Sequence, residues 1–417
     1  MKSRLRGFFT LLLLISSFLS EAQIGSRLKM KIEALKNQHV ELWSYYGNTK
    51  VFVDSIRFGE NGLANYHSKT TLKKGVYAIV LPNTNSFELI ITEPKISLQT
   101  DLITPGKSMV IKKSIENTHY YALKKFLSSK RVEMNKLITA HKEGCISSTE
   151  FNQSSELINK EIKDYKINLV TNTKGLLVSD LLKAGMSPSI DTTAKEPYAG
   201  YLNKYLNQIN FTNTALLYSP VMDMRVVEYL DLLVAPYPQE KIKAIEKIIK
   251  RGKNNQEITN YFIKRFIEKY EGLQTVGYDE IFTHLVINHI DKTDYSTSRK
   301  NTLKNKAQSI QNLLRGASFN IERLPKGDLL YSFESKYTLV VLWTEKTTKK
   351  QLELIYDFSQ SYKKYDLKVV SISIGADISK LNIGQQNKWI NISGNTRFQK
   401  EIIMSGELVL ILLDKNK

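Results

Sequence analysis

The chain has 417 residues, 42% of them hydrophobic and 24% charged, with a formal net charge of +19. That length accommodates two or three domains with separate cores, and the composition is that of a soluble globular protein. A single cysteine, Cys145, excludes an intramolecular disulfide framework.

Lys2, Arg4 and Arg6 precede the apolar run GFFTLLLLISSFLS, and Ser20-Glu21-Ala22 fits a small-x-small cleavage site. This pattern predicts a signal peptide over residues 1–22, cut before Gln23, and a periplasmic or secreted mature protein. The run is shorter than the ~20 residues a membrane span needs, and no other stretch approaches that length, so no span is expected after cleavage. No cysteine follows the run to carry a lipid anchor. Without residues 1–22, which hold three basic residues and one acid, the charge is +17. The lysines are scattered, and the densest group, Lys241, Lys243, Lys247, Lys250 and Arg251, alternates with Ile242, Ile245, Ile248 and Ile249 at helical spacing. That is the solvated face of an amphipathic helix, and no nucleic acid partner is expected. A general attraction to anionic envelope surfaces remains.

Between about residues 28 and 112 the chain reads as strands: the runs LKMKIEAL, HVELWSYYG, KVFVDSIRF, GLANYHSKT, GVYAIVLP, FELIIT and ISLQTDL are short, partly alternating and rich in β-branched and aromatic residues. Strands at about ten-residue spacing predict an antiparallel β-sandwich or barrel-like domain over 23–115. Gly59-Glu60-Asn61-Gly62 and Lys74-Gly75 read as hairpin turns.

A helical domain is expected over 116–314. YYALKKFLSSKRVEMNKLITAHKEG carries apolar residues at three-four spacing and ends at Gly144, and Ser147 with Glu150 makes a capping box for the next helix. Breaks fall near Gly185–Pro188, Lys195–Gly200 and Pro236–Pro238. QEKIKAIEKIIKRG, QEITNYFIKRFIEKYEG and GYDEIFTHLVINHI follow, then a polar helix before Gly316.

From 315 to 417 strands and helices alternate: TLVVLWT, KKQLELIYDFSQSYKKY, KVVSISIG, KWINIS and ELVLILLD. Buried-type strands flanking a helix predict an α/β layer and make the whole chain multidomain α+β.

In this order the three regions resemble a family of secreted bacterial thioredoxin-like proteins. Its members join a β-domain of unknown function, a helical middle and a C-terminal domain of TlpA or peroxiredoxin-related type. The residues carrying the resemblance are the Asp54 strand, Gly75-Val76-Tyr77-Ala78-Ile79, Ser114-Ile115-Glu116-Asn117, segments 209–233 and 277–290, Trp343, KVVSISIG, KWINIS and LLDKNK. The resemblance implies thiol-disulfide exchange through two cysteines at a helix start and a cis-proline before a later strand. Counted from Trp343, the cysteine positions fall on Thr347 and Lys350, and the proline position on Leu408. A neutral alcohol and an ammonium do not perform thiolate chemistry.

Thr348 and Gln351 have capping-box spacing, so an ordinary helix start is expected there. Lys346, Lys349 and Lys350 crowd the positive end of that helix, either as solvated side chains or, with Thr347 and Thr348, as an anion site. The family's fold has a further strand and helix after ELVLILLD, so this domain is expected to be incomplete.

Cys145 follows Gly144 in a turn near His141 and Lys142 and is the candidate reactive thiol. Among His39, His67, His119, His141, His284 and His289 no paired metal motif occurs; Glu280 and His284 share a helix face and read as structural, so no metal and no cofactor are expected. No Gly-rich phosphate loop or nucleophile elbow is present. Trp43, Trp343 and Trp389 are expected to pack. The expected function is a redox-inactive binding or scaffolding role in the cell envelope, with an envelope protein or anionic ligand as partner. The alternative is a thiol-disulfide oxidoreductase or peroxidase acting through Cys145.

Overall fold

The computed structural model describes residues 27–273, 275, 277–311, 314, 335–375, 389–394 and 408–415. The segment read as a signal peptide lies outside them. The fold is mixed α+β, and the described residues form three four-stranded sheets, with helices following strands along the chain. The chain divides into two compact units: one runs to Val234 and takes in Lys250–Ile258, and the other comprises Ala235–Ile249 and Thr259 onward.

In the first unit, strands β1 (Arg27–Lys31), β4 (Leu63–His67), β7 (Lys95–Gln99) and β8 (Val110–Lys113) form one sheet in the order β4-β1-β7-β8. Strands β2 (His39–Tyr46), β3 (Thr49–Arg57), β5 (Gly75–Val80) and β6 (Ser86–Ile91) form another in the order β3-β2-β5-β6. Alternation decides which residues turn inward: Leu28 and Met30, Val40 and Leu42, and Ile96 and Leu98 meet in one buried cluster with Tyr77, Ile79, Phe87 and Leu89. Both sheets supply that cluster, and neither closes as a barrel. The barrel-like expectation is corrected here, and so is the all-antiparallel one, because β1 and β7 run parallel. Pairing between strands so distant in sequence leaves no local signature.

Two glycines are required by close approach. A side chain at Gly62, whose φ is +67°, would lie 2.6 Å from the Ile32 carbonyl oxygen; one at Gly75 would lie 2.4 Å from Tyr218 Cβ. At the latter point the Val76 N–H donates to the Tyr218 carbonyl at 2.8 Å, tying the loop before a later helix to the start of β5.

Helix α1 (Ile115–Lys142) begins at the Ser114 cap, and α2 (Ser148–Asn172) begins with the Ser147/Glu150 capping box that the sequence predicts. Helices α3 (Leu177–Ala184), α4 (Pro197–Asn207) and α5 (Pro220–Glu228) follow, the last two opening on proline, which suits a first turn. Asn117, fully buried, accepts the Ile90 N–H at 2.9 Å and donates to the Ile90 carbonyl at 2.8 Å, clamping α1 to β6. The buried Glu116 carboxylate accepts the N–H groups of Leu177 and Val178 at 2.7 and 2.8 Å, and so closes the start of α3. Glu88 is a further anchor: Tyr45 and Tyr120 hydroxyls donate to its carboxylate at 3.0 and 2.7 Å. Burial, with the Glu88 charge second, pushes both phenols well above their usual range.

The second unit takes most of α6 (Pro238–Gly252) and α7 (Gln256–Glu271), then α8 (Tyr278–His289) and α9 (Thr297–Gln311). Its sheet follows: β9 (Tyr337–Thr344), α10 (Lys349–Ser361), β10 (Leu367–Ile374), β11 (Ile390–Ser393) and β12 (Leu408–Asp414), in the order β11-β10-β9-β12. β10 runs parallel to β9 and β11, while β12 is antiparallel to β9. The unbroken apolar run of β9 reflects burial on both faces. Leu339, Val341 and Trp343 pack under Leu352 and Ile355 of α10, whereas Val340 and Leu342 join Val370, Ile372 and Ile392 on the opposite face. Among the described residues no helix is long and apolar enough to cross a membrane.

Candidate functional site

The corner where β9 passes into α10 is where the sequence predicts lost redox chemistry, and its geometry follows from local hydrogen bonds. The Thr347 N–H donates to the Thr344 carbonyl at 3.0 Å, and the Thr344 N–H donates back to the Thr347 hydroxyl oxygen at 3.1 Å. Thr347 thus closes a tight turn. Thr348 then caps α10: its hydroxyl oxygen accepts the Gln351 N–H at 3.3 Å, while the Gln351 side-chain oxygen accepts the Thr348 N–H at 2.8 Å. Leu408 opens β12 directly opposite Trp343. The positions Thr347, Lys350 and Leu408 therefore gather around the end of β9 and the start of α10, and no sulfur stands among them.

Trp343 is buried, and its indole N–H donates to the Ser371 hydroxyl at 2.8 Å across β9 and β10. Trp389 is buried in the cluster under α10, and Trp43 lies edge-on to Phe52 with its N–H on Glu41. All three tryptophans pack, as expected.

The capping box already uses the N–H groups of Thr348 and Gln351, two of the donors an anion would need. Lys349 and Lys350 are exposed, and Lys349 lies 3.8 Å from Glu353 one turn on. Lys346 is likewise exposed.

Cys145 is exposed in the turn between α1 and α2. Its N–H donates to the Ala140 carbonyl at 2.9 Å after Gly144 in the left-handed conformation, so the residue sits at the carbonyl end of α1. A thiolate favoured by a helix dipole would sit at the opposite end. His141 is turned to Ser148, at 3.2 Å, and stacks on Phe151.

Sequence reasoning paired Glu280 with His284 on one helix face. The structure instead bonds Glu280 to Gln239 and brings His284 to Glu246 of α6. His284 Nε2 lies 2.7 Å and His289 Nε2 2.6 Å from the same Glu246 Oε1. Burial works to raise the Glu246 carboxyl, but the two imidazole hydrogen bonds outweigh it and hold the group below its ordinary range. This three-residue cluster was missed because its members belong to two helices and fit no linear motif. The only signal in the sequence was two histidines close together near the end of one helix.

No family model and no curated protein matches the chain. Among solved structures it is similar to a thioredoxin-like protein from Bacteroides caccae ATCC 43185, at 18% identity over 56% of this chain and 91% of that one, with a TM-score of 0.41. It is also similar to a domain of a possible thiol-disulfide isomerase from Cytophaga hutchinsonii ATCC 33406, at 22% identity over 21% of this chain and 66% of that one, with a TM-score of 0.19. Both superpositions are loose, and no activity carries over from either.

Proposed function

We propose that this chain is an extracytoplasmic protein of thioredoxin-like type that has no redox activity and serves a binding or scaffolding role in the cell envelope. The observation that supports it is the β9–α10 corner. The residue in the nucleophile position, Thr347, spends its hydroxyl on a turn, and the next residue caps the helix. Thiol-disulfide exchange needs a thiolate and a resolving sulfur, and neither Thr347 nor Lys350 supplies one. The export reading rests on the basic and apolar pattern of residues 1–22.

The competing reading, a peroxidase or oxidoreductase working through Cys145, draws on the exposure of that thiol. Hydrogen peroxide consumption with a thiol reductant separates the two. The non-redox reading expects wild type and Cys145→Ser to consume peroxide at the same background rate. Turnover that disappears in Cys145→Ser rejects it. Fractionation of cells expressing the full chain tests the location: a mature form lacking residues 1–22 belongs in the periplasm or medium, and an uncut cytoplasmic form refutes export.

A further inference from the structure

We propose that Glu246, His284 and His289 form a binding site for a divalent transition-metal ion of the zinc class. The ligand atoms of the three residues all lie within 4.8 Å of one another. Two imidazole nitrogens and one carboxylate oxygen are the donor set that borderline ions take, whereas magnesium and calcium demand oxygen ligands. Both histidines stand on α8, His284 in its middle and His289 as its last residue, and the carboxylate on α6, so the ligands project from helices rather than from loops. The His289 side chain is 7% exposed, while His284 and Glu246 are 30% and 39% exposed. One ligand is thus anchored in the interior, and the other two border solvent, which gives an entry path and room for water to complete the coordination.

The hydrogen bonds define what binding must change. Lys292 Nζ lies 3.0 Å from His289 Nδ1 and can only donate, so Nδ1 is the acceptor and the ring hydrogen is on Nε2, directed at Glu246. At His284 the ionised Glu246 carboxylate, 2.7 Å from Nε2, can only accept and so places the ring hydrogen on Nε2; Asn288 Nδ2, which donates to the His284 carbonyl at 2.9 Å, stands 3.3 Å from Nδ1. A metal ion bound at both Nε2 atoms replaces those two N–H donors. Each ring hydrogen then moves to Nδ1, the Asn288 amide must turn, and the Lys292 ammonium must swing away. The two present contacts of 2.6 and 2.7 Å must widen to the roughly 3.3 Å between ligands that Zn–N and Zn–O bonds of about 2.0–2.1 Å set in a tetrahedron. Lys292 therefore opposes the metal, and its removal should tighten binding. A site that merely satisfies the Glu246 carboxylate has no such property.

The test is isothermal titration of the chelator-stripped mature chain with zinc chloride. Parallel titrations use His284→Ala, His289→Ala, Lys292→Met and Cys145→Ser, with circular dichroism to check folding. One equivalent should bind to wild type and to Cys145→Ser, weaken about tenfold or more in each histidine variant, and tighten in Lys292→Met. Equal affinity in wild type and a folded histidine variant overturns the site, as does unchanged or weaker binding in Lys292→Met. Should His289→Ala lose its fold, cobalt(II) added to Lys292→Met decides. Visible ligand-field bands that Glu246→Gln shifts support the site, and bands that Glu246→Gln leaves unaltered refute it.

Discussion

Among the described residues two helices follow a strand, α1 after β8 and α10 after β9, and they are built differently. At the entry to α1, Glu116 and Asn117 are buried and committed: one holds the start of α3 and the other clamps β6. At the entry to α10, Thr348 and Gln351 satisfy only each other, on the surface. The first junction ties elements far apart in sequence; the second closes one helix end and nothing more. Here its polar side chains do local work that any helix start requires.

That contrast predicts a steep ranking of mutational effects. Asn117→Ala leaves both Ile90 backbone groups unpaired in the interior and should cost about 2–5 kcal/mol in urea denaturation. Glu116→Ala strands the N–H groups of Leu177 and Val178 and should cost about 2–4 kcal/mol. Equal effects from the surface cap would erase the distinction. Trp343→Phe, which removes the indole donor to Ser371, should cost about 1–2 kcal/mol and quench part of the tryptophan emission. Thr348→Ala should cost only about 1 kcal/mol. Lys350→Glu at the positive end of α10 should stabilise by roughly 0.3–1 kcal/mol, more at low salt; a destabilised variant would mean that the lysine has a partner of consequence.

The pH dependence sharpens the same comparison from outside both junctions. Glu246 has its carboxyl held below the ordinary range in the fold, so its contribution is complete above the ordinary glutamate pKa and is lost as pH falls through the lowered value. Glu246→Gln should flatten the acid limb of the stability profile. An unchanged acid limb would show that the imidazole bonds carry no charge-dependent stability.

Much of this architecture was legible locally. Alternation in HVELWSYYG and FELIIT identified strands, Ser147/Glu150 and Thr348/Gln351 identified helix starts, and the doubly apolar run TLVVLWT identified a central strand. What escaped depends on partners distant in the chain. The parallel pairing of β1 with β7 joins Leu28 to Ile96, and the short strand β8 has too few apolar residues to announce itself. Ser114-Ile115-Glu116-Asn117 stood out as a helix entry, but nothing in those letters says that Glu116 reaches Leu177. The meeting of Glu246 with His284 and His289 is of the same kind.

Everything said of function turns on whether this chain performs sulfur chemistry through its single thiol, Cys145, and reduction of insulin by the full chain under dithiothreitol reads this most directly. The account predicts that wild type and Cys145→Ser both precipitate insulin at the rate dithiothreitol alone produces. A wild-type rate above that baseline, abolished by Cys145→Ser, would contradict it.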